Sequence, residues 1–480
     1  MRPTYTGPCP LAKKCGGCQL QNMEYERQLH FKEGKVRALL GRFGRVKPIL
    51  GMEYPYHYRN KVQAAFGVNR HREIISGVYQ SSTHRIVPVD SCRIEDRAAD
   101  AIIVTIRRLL KDFHLSAYDE RQEKGFLRHV LVKRGFATGQ IMVVLVTSTP
   151  VFTAKKHFVA ALLTEHPEIT TIVQNVNPHY TSLVLGKQQK VLYGSGYIED
   201  VLCGLTFRIS AASFYQINPV QTEILYGKAM ELAGLTGKER VIDAYCGIGT
   251  IGLAASRLAS EVIGVELNGD AVRDAIANAK RNGIRNARFY PGDAGEWMEA
   301  MAAEKERADV VFMDPPRAGS DRRFLDSLLK LAPSRVVYIS CNPETQARDL
   351  AYLTQRGYRV RSIQPVDMFP WTEHVETVAV LSRKSASKSF IPVSISPKDM
   401  GLSEEKDQPT YANIHDYVQK THGMKVSSLY VAQMKAECGL GTQADRSGDK
   451  KQPKCPPEKR EAILDAFRHF GLIGEDETEK

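Results

Sequence analysis

The apolar and polar residues of positions 240–266 change their period twice along the chain. Residues 241–242 are β-branched and strand-like, whereas residues 251–258 have the apolar spacing of a helix. Residues 262–265 form another short apolar run, which ends on Glu266. The stretch therefore predicts a strand, a turn, a helix and a second strand, the repeating unit of an open α/β sheet.

The N-terminal half has a different pattern. Residues 125–148 alternate and then run apolar around a turn that contains glycine, which predicts a β-hairpin. Residues 101–113 and 154–164 have helical spacing, and we expect these helices to cover the sheet. Residues 19–210 therefore predict an α+β domain.

The turn after the first strand of the 240–266 unit is rich in glycine. Gly247, Gly249 and Gly252 spell GxGxxG, and glycine lets the backbone approach a ligand closely at the N-terminus of the next helix. Glu266 ends the neighbouring strand, where a carboxylate accepts the hydroxyls of a ribose. The pattern predicts a nucleoside-cofactor site, and taken alone it is compatible with NAD.

Further acidic residues favour S-adenosylmethionine as that cofactor. Asp243 precedes the glycine turn in DAYCGIGT, and Asp293 and Asp314 follow two later strands in YPGDA and VVFMDPPR. The carboxyl ends of neighbouring strands form the ligand-binding rim of an open α/β sheet. We therefore expect a class I, Rossmann-like S-adenosylmethionine-dependent methyltransferase domain, with a dehydrogenase as the alternative.

Charge is unevenly distributed along the 480 residues, which carry a net charge of +12. Residues 1–100 hold 17 Lys and Arg against 9 Asp and Glu, residues 101–240 hold 16 against 11, and the remainder holds 33 against 34. A basic N-terminal half is expected of a protein that binds a polyanion, although a solvated basic surface has the same composition. We find no signal peptide or long apolar run and expect a cytoplasmic, monomeric protein that binds neither membrane nor DNA.

Four cysteines are grouped in a way that suggests a metal centre. Cys9, Cys15 and Cys18 lie close together in PCPLAKKCGGCQLQ, and Cys92 is the only other cysteine in the first 200 residues. Four thiolates suit a [4Fe–4S] cluster or a structural zinc ion. A compact trio with one remote cysteine is the commoner pattern of a cluster.

Two further parts of the sequence have side chains that suit contact with RNA or with the cofactor. Residues 54–67, YPYHYRNKVQAAFG, mix aromatic and basic side chains, which suits unstacked RNA bases but also an ordinary amphipathic edge strand. Gln216 precedes a helix that starts near Asn218 and Pro219. Its amide can meet a cofactor carboxylate or a base edge, or it can cap the helix.

The residues with reactive side chains come last in this domain. Cys341 follows a buried strand in VVYISCNPETQARDL, and His374 and Glu376 precede the last apolar strand in HVETVAVL. Carbon 5 of a pyrimidine becomes nucleophilic when a thiolate adds to carbon 6, and a base must later remove the carbon 5 proton. The sequence therefore predicts Cys341 as nucleophile and Glu376 as base, although a lone strand-end cysteine is usually a small buried apolar residue.

With these motifs in place, the chain resembles the RNA (uracil-5-)-methyltransferase family. The similarity covers residues 1 to about 384, in the segments CPLAKKCGGCQ, YRNK, FYQIN, DAYCGIGT, MDPPRAG, SCNP and HVET. It is greatest to the cluster-bearing branch that acts on 23S ribosomal RNA, since the transfer-RNA branch lacks the cluster. An oxidoreductase would leave Cys341 and Glu376 unexplained, and a non-catalytic ribosomal-RNA binder would not need them.

The resemblance implies a role for each matching position. It implies that Cys341 is the nucleophile and Glu376 the base. It implies that the cofactor or active-site positions are Gln216, Tyr245, Glu266, Asp293 and Asp314. It implies a [4Fe–4S] cluster on Cys9, Cys15, Cys18 and Cys92.

Three departures from the family pattern bear on ligand contacts. Thr250 stands where some relatives have asparagine, and Trp371 replaces a usual histidine. The cysteine loop begins at Cys9, so we expect RNA to be held by a part of the chain other than the small N-terminal barrel common in relatives.

We expect four regions along the chain. They are an iron–sulfur and RNA-contacting region (1–95), a central α+β domain (96–212), the catalytic domain (213–384) and a linker with a helical extension (385–480). In the extension, residues 410–437 predict two short helices broken near Gly423, and EAILDAFRHFG predicts a last helix. Interspersed lysines suggest an RNA- or ribosome-contacting module, with a protein-docking module as the alternative.

Overall fold

The computed structural model describes residues 9–81, 83–120, 122–178, 183–384, 409–438, 440 and 455–474. The chain divides into two compact units, Met1–Ala386 and Ser387–Lys480. Within the described residues, no helix has both the length and the apolar character needed to cross a membrane.

The described strands are β1 Lys61–Val68, β2 Ile74–Tyr79, β3 Ile86–Pro88, β4 Leu127–Arg134, β5 Ile141–Thr147, β6 Ile169–Val176, β7 Gln188–Tyr193, β8 Tyr197–Leu202, β9 Leu205–Ser210, β10 Arg240–Ala244, β11 Glu261–Glu266, β12 Ala287–Pro291, β13 Val310–Met313, β14 Arg335–Ser340, β15 Tyr358–Val366 and β16 Glu376–Arg383. The described helices are α1 Ala12–Cys15, α2 Tyr25–Leu40, α3 Arg97–Asp112, α4 Lys155–Glu165, α5 Pro219–Ala233, α6 Thr250–Ser256, α7 Gly269–Arg281, α8 Ala294–Ala303, α9 Arg322–Leu331, α10 Pro343–Thr354, α11 Tyr411–His422, α12 Ser428–Glu437 and α13 Pro457–His469.

The first sheet has the strand order β3-β2-β1-β4-β5-β6-β7. Strands β4 and β5 form the predicted hairpin, and helices α3 and α4 are the two helices predicted to cover it. The apolar stripe of α3, including Ile102 and Ile106, packs with α4 on one face of the sheet. Residue 95, suggested by the sequence as a domain boundary, lies between β3, the edge strand of this sheet, and α3, which packs on the same sheet.

The second sheet has the order β12-β11-β10-β13-β14-β16-β15 and is parallel except for β16, which runs antiparallel to both neighbours. Buried residues of α5, α6 and α7 cover one face, and those of α8, α9 and α10 cover the other. The α/β prediction for this domain is confirmed, since both faces of a largely parallel sheet are covered by helices.

The N-terminal helix α2 packs on the second sheet. Val36 and Leu40 of α2 are fully buried in the core beneath α9 and α10. The chain after α2 then pairs in parallel with β15, with Val46 opposite Ile363 and Leu50 opposite Val366. Residues 25–50 therefore pack against the second sheet, with α2 on one face and the following segment beside its edge strand β15.

The C-terminal unit contains the predicted helices. Helix α11 ends at Gly423 in a left-handed conformation with a φ of 68°, where the sequence predicts the break, and α12 and α13 follow. Its buried core consists of Ile414, Val418, Val431, Met434, Ala462, Ile463, Ala466 and Phe467. The predicted polar linker at 385–408 lies outside the described residues.

Candidate active site

The carboxyl ends of the parallel strands meet at one rim of the second sheet. Five of these strands end at or shortly before a residue that the sequence singled out. In sheet order these residues are Asp293 after β12, Glu266 on β11, Tyr245 after β10, Asp314 after β13 and Cys341 after β14. The fold therefore gathers positions that span about 100 residues of sequence.

The glycine turn is braced from below by Asp243. Gly247 and Gly249 have φ angles of 54° and 85°, a region that disfavours side chains. The Gly252 N–H donates to Asp243 Oδ2 at 2.7 Å, and a Cβ at this glycine would lie 2.9 Å from the same oxygen. Asp243 is fully buried, and burial raises its pKa to about 8. Asp243 therefore supports the turn through Oδ2, whereas its buried Oδ1 has no hydrogen-bond partner among the described residues.

Glu266 lies over the same turn. Its Oε2 accepts a hydrogen bond from the Gly247 N–H at 3.1 Å, and its Oε1 accepts one from the Asn268 N–H at 2.9 Å. The side chain is partly exposed at the rim. The carboxylate is thus fixed at the tip of β11, beside the turn that a nucleoside would approach.

Two further predicted positions line the rim beyond Glu266. Asp293 caps helix α8, since its Oδ1 accepts from the Glu296 N–H at 3.0 Å. The Tyr245 ring contacts Phe324 with 5.0 Å between the ring centroids, and burial raises the pKa of its hydroxyl to about 12. Both side chains are half-buried, which is expected for the walls of a binding groove.

Gln216 is held at the rim by a residue of the first sheet's domain. The Asn60 side chain donates to the Gln216 carbonyl, and the Asn60 N–H donates to the Ile217 carbonyl, both at 2.9 Å. The buried Tyr226 hydroxyl interacts with the Gln216 side chain and lies 3.2 Å from Thr250 Oγ1. Asn60 belongs to the YRNK motif that the sequence associates with RNA, and in the structure it supports the Gln216 loop.

Cys341 and Glu376 lie on neighbouring strands. Strand β14 pairs with β16 through Ser340 and Thr377, so the residues that follow and precede this pair are close at the rim. Cys341 is half-buried and lines a cavity of about 170 Å³ together with His374. Glu376 is only 4% exposed, and its Oε2 has no hydrogen-bond partner among the described residues. A buried carboxylate oxygen without a partner is uncommon and points to a ligand or proton that completes it.

The electrostatics of this pair favour the neutral forms. Burial, followed by the nearby Glu376 and Asp314, raises the pKa of the Cys341 thiol to about 11. Burial also raises the pKa of Asp314 to about 7. Burial and then Asp314 raise the pKa of Glu376 well above its ordinary value. Three groups that each disfavour negative charge on the others are therefore concentrated at one point of the rim.

Arg317 opposes these shifts, and the sequence analysis did not single it out. Its positive charge lowers the pKa of both Cys341 and Glu376. Its carbonyl accepts hydrogen bonds from Asn342 Nδ2 and Thr345 Oγ1, both at 3.2 Å. The position of Arg317 in the MDPPRAG segment is a signal that could have identified it. Lys35 of α2 also lines the cavity, and no motif marks it.

The four N-terminal cysteines share a second cavity. Cys9, Cys15, Cys18 and Cys92 line a space of about 40 Å³, and burial raises the pKa of Cys18 to about 11. Within the part of the chain that the structure describes, no three His, Cys, Asp or Glu side chains are arranged so that they could hold a metal ion. The thiols therefore face a common space without forming a closed metal site.

Comparison with known proteins identifies the family. Residues 24–384 match the family model described as tRNA (Uracil-5-)-methyltransferase. The chain belongs to the RNA (uracil-5-)-methyltransferase family. Members of this family methylate RNA with S-adenosylmethionine as methyl donor, so the predicted RNA methyltransferase activity and its dependence on S-adenosylmethionine are confirmed.

Relatives and one solved structure agree with this assignment. An uncharacterised RNA methyltransferase of Halalkalibacterium halodurans is 46% identical over 79% of this chain and 83% of the relative. One of Clostridium acetobutylicum is 44% identical over 78% of this chain and 83% of the relative. The Pyrococcus abyssi tRNA (uracil-54, C5)-methyltransferase, solved with S-adenosyl-L-homocysteine, has a TM-score of 0.63 and 28% identity, covering 76% of this chain and 85% of that chain. The family match ends at residue 384, before the helical extension.

Proposed function

We propose that this enzyme methylates carbon 5 of uridine in 23S ribosomal RNA through a covalent bond to Cys341. The observation that carries the chemistry is that the Cys341 thiol lies beside Glu376, whose buried Oε2 has no hydrogen-bond partner among the described residues. The choice of ribosomal RNA is supported by the four cysteines around one cavity, because this feature marks the branch that the sequence resembles.

The target is tested by supplying labelled S-adenosylmethionine with matched RNA transcripts. We expect 23S ribosomal RNA domains to be methylated and transfer RNA transcripts to remain unlabelled. Methylated uridines missing from the ribosomal RNA of a deletion strain would identify the position. Efficient methylation of transfer RNA alone would contradict the ribosomal target and favour the same chemistry on tRNA.

In the proposed reaction, the Cys341 thiolate adds to carbon 6 of the uracil, and the carbon 5–carbon 6 π electrons move to form an enolate. Carbon 5 then takes the methyl group, and S-adenosylhomocysteine is the leaving group. This order is needed because carbon 5 of an unmodified uracil is a poor nucleophile. The positive charge of Arg317 supports thiolate formation, since it lowers the pKa of Cys341.

Glu376 completes the reaction as the base. Its carboxylate takes the proton from carbon 5, the carbon 5–carbon 6 double bond re-forms, and the bond to the cysteine sulfur breaks. The buried oxygen of Glu376 without a hydrogen-bond partner supports this role, because it is free to accept a proton.

We assign the remaining rim positions to cofactor and substrate binding. Glu266 accepts the ribose hydroxyls, and Asp293 and Tyr245 border the adenosine end of the groove. Gln216 and Asp314 face the reacting end. The negative charge of Asp314 raises the pKa of both Cys341 and Glu376, which supports its placement at the reacting end.

We expect the rate at subsaturating RNA to rise with pH between about 6 and 9. Cys341 has a raised pKa and must lose its proton before it adds to carbon 6, so a higher pH increases its reactive fraction. Arg317→Gln should move the profile to higher pH, because it removes the cation that lowers this pKa. The measurement is kcat/KM against pH.

The exposed Arg323, which pairs with Glu296, offers a control for this experiment. Arg323→Gln should leave the profile unchanged. A kcat/KM that does not vary over this pH range would exclude titration of Cys341 as the limiting event.

We propose that Cys9, Cys15, Cys18 and Cys92 hold a [4Fe–4S] cluster. Their shared cavity and half-buried thiols support this donor set. The cluster would tie the N-terminal loop to the segment around Cys92 and would take no part in methyl transfer.

Anaerobically purified protein should be brown and contain iron and sulfide, and Cys92→Ser should lose both. Cys203→Ser, at a half-buried cysteine in the turn between β8 and β9, should keep them. Stoichiometric zinc without iron would show that the site is a zinc site.

We propose that residues 213–384 catalyse methyl transfer, that the preceding regions contact RNA, and that the C-terminal unit is an auxiliary RNA-contacting module. In that unit Lys435 lies 4.8 Å from the Tyr411 ring centre and Lys459 lies 5.8 Å from that of Tyr430. Aromatic rings beside lysines support contact with RNA.

Truncation after Lys384 should leave cofactor affinity unchanged and weaken RNA binding. The negative slope of log affinity against log salt should become shallower by roughly 0.7 to 0.9 for each phosphate contact that is lost. Equal RNA affinity and slope in the truncated and full-length chains would instead favour a protein-docking module.

A further inference from the structure

The loop that precedes Glu376 is held by the N-terminal helix α2. Residues 367–375, here called the base loop, connect β15 to β16 and lead directly into Glu376. Lys32 Nζ donates hydrogen bonds to Asp367 Oδ1 at 2.5 Å and to the Phe369 carbonyl at 2.9 Å. The side chains of Lys32 and Asp367 are both fully buried.

Two more residues of α2 bind the same loop. The Tyr25 hydroxyl donates to Asp367 Oδ2 at 2.8 Å, and Gln28 Oε1 accepts from the Trp371 N–H at 2.9 Å. Tyr25, Gln28 and Lys32 follow one another at spacings of three and four residues, so they lie on one face of the helix. This face binds alternate residues of the base loop.

Other elements bind two further carbonyl groups of the loop. The Asn218 side chain donates to the Met368 carbonyl at 3.0 Å, and the Tyr58 hydroxyl donates to the Pro370 carbonyl at 2.9 Å. Trp371 has a φ of 71°, which is rare for a side chain of this size, and it is only 3% exposed. A backbone conformation of this kind persists only where the surroundings enforce it.

The choice of polar residues on α2 is informative. An apolar contact of the same size is often as stable as a buried ion pair, because both charges must leave water. A buried ion pair fixes direction and distance, which an apolar contact does not. Here the pair fixes the first residue of a loop that ends at the proposed base.

We propose that Lys32, Asp367 and Tyr25 are positioning residues that hold the base loop so that Glu376 faces carbon 5 of a uracil bound to Cys341. The inference rests on the proposed roles of Cys341 and Glu376. It assigns a part in the reaction to α2. Lys32 of this helix precedes Asp367 by 335 residues in the chain.

The test measures a specific step rather than overall activity. When the base is displaced, methyl transfer still occurs, but removal of the carbon 5 proton slows. Asp367→Asn and the double variant Lys32→Met with Asp367→Asn should therefore accumulate a covalent protein–RNA adduct that carries the methyl group. We expect kcat to fall by about 10- to 100-fold, as misplacement by about 1 Å does, while the KM for S-adenosylmethionine stays within about twofold.

Tyr25→Phe removes one hydroxyl and keeps the ring, so we expect this variant to fold. It tests the inference even if the variants of Lys32 and Asp367 do not fold. It should show the same adduct to a smaller extent. Arg37→Met is the matched control, because Arg37 lies on the exposed side of α2 and pairs with Glu33 of the same helix.

Glu376→Gln separates failure of this inference from failure of the proposed function. An adduct with Glu376→Gln but wild-type turnover without adduct in folded Tyr25→Phe and Asp367→Asn would overturn the positioning role alone. Absence of adduct in Glu376→Gln itself would overturn the assignment of the base.

Discussion

Cys341→Ala is expected to abolish RNA methylation while S-adenosylmethionine still binds. Without the thiol, carbon 5 of the uracil is not activated, and removal of a covalent nucleophile commonly costs at least about 10⁴-fold in rate. The cofactor positions Glu266 and Tyr245 belong to other strands and other loops, so their geometry is retained. Single-turnover methyl transfer and the Kd for S-adenosylmethionine measure the two parts of this prediction.

Cys203→Ala is a suitable control, since this cysteine lies between β8 and β9 and does not line the cavity of Cys341. It should methylate RNA at the wild-type rate. Normal turnover by Cys341→Ala would eliminate the covalent mechanism.

Glu376→Gln is expected to stop the reaction after methyl transfer. Glutamine has nearly the shape of glutamate, so the buried site should still fold, but its amide does not take the carbon 5 proton. Addition and methyl transfer precede this step, and the Cys341–RNA bond therefore persists. A denaturing gel with labelled methyl donor should show a protein–RNA band that contains the label.

Glu231→Gln provides the control, because Glu231 lies on the exposed side of α5 and pairs with Lys228 of the same helix. This variant should turn over without an adduct. If Glu376→Gln forms none, another group removes the proton, and Asp314 is the next carboxylate to test.

Several features of the site could be predicted because they are local in the sequence. Gly247 and Gly249 mark a turn through their backbone freedom, and Glu266, Asp314 and Cys341 each come at or directly after a buried strand. The carboxyl ends of parallel strands meet at one edge, so residues in these positions converge without any knowledge of packing.

Other roles were assigned incompletely because they depend on distant partners. Asp243 precedes the glycine turn in the sequence, and only the structure shows that it is fully buried and accepts the Gly252 N–H. Asn60 resembles an RNA contact and binds the Gln216 loop. A side chain's sequence neighbours do not reveal which surface it faces.

The strand–turn–helix–strand unit, the rim positions and the candidate nucleophile and base are visible in local patterns, since the period of apolar residues and the strand-end positions specify them. The packing of α2 on the second sheet and the contact of Lys32 with Asp367 depend on tertiary contacts. Tyr25, Gln28 and Lys32 are polar, so their pattern is that of a solvent-exposed helix face. Their burial arises from complementary hydrogen bonds to a loop more than 300 residues away, and no local pattern encodes such a contact.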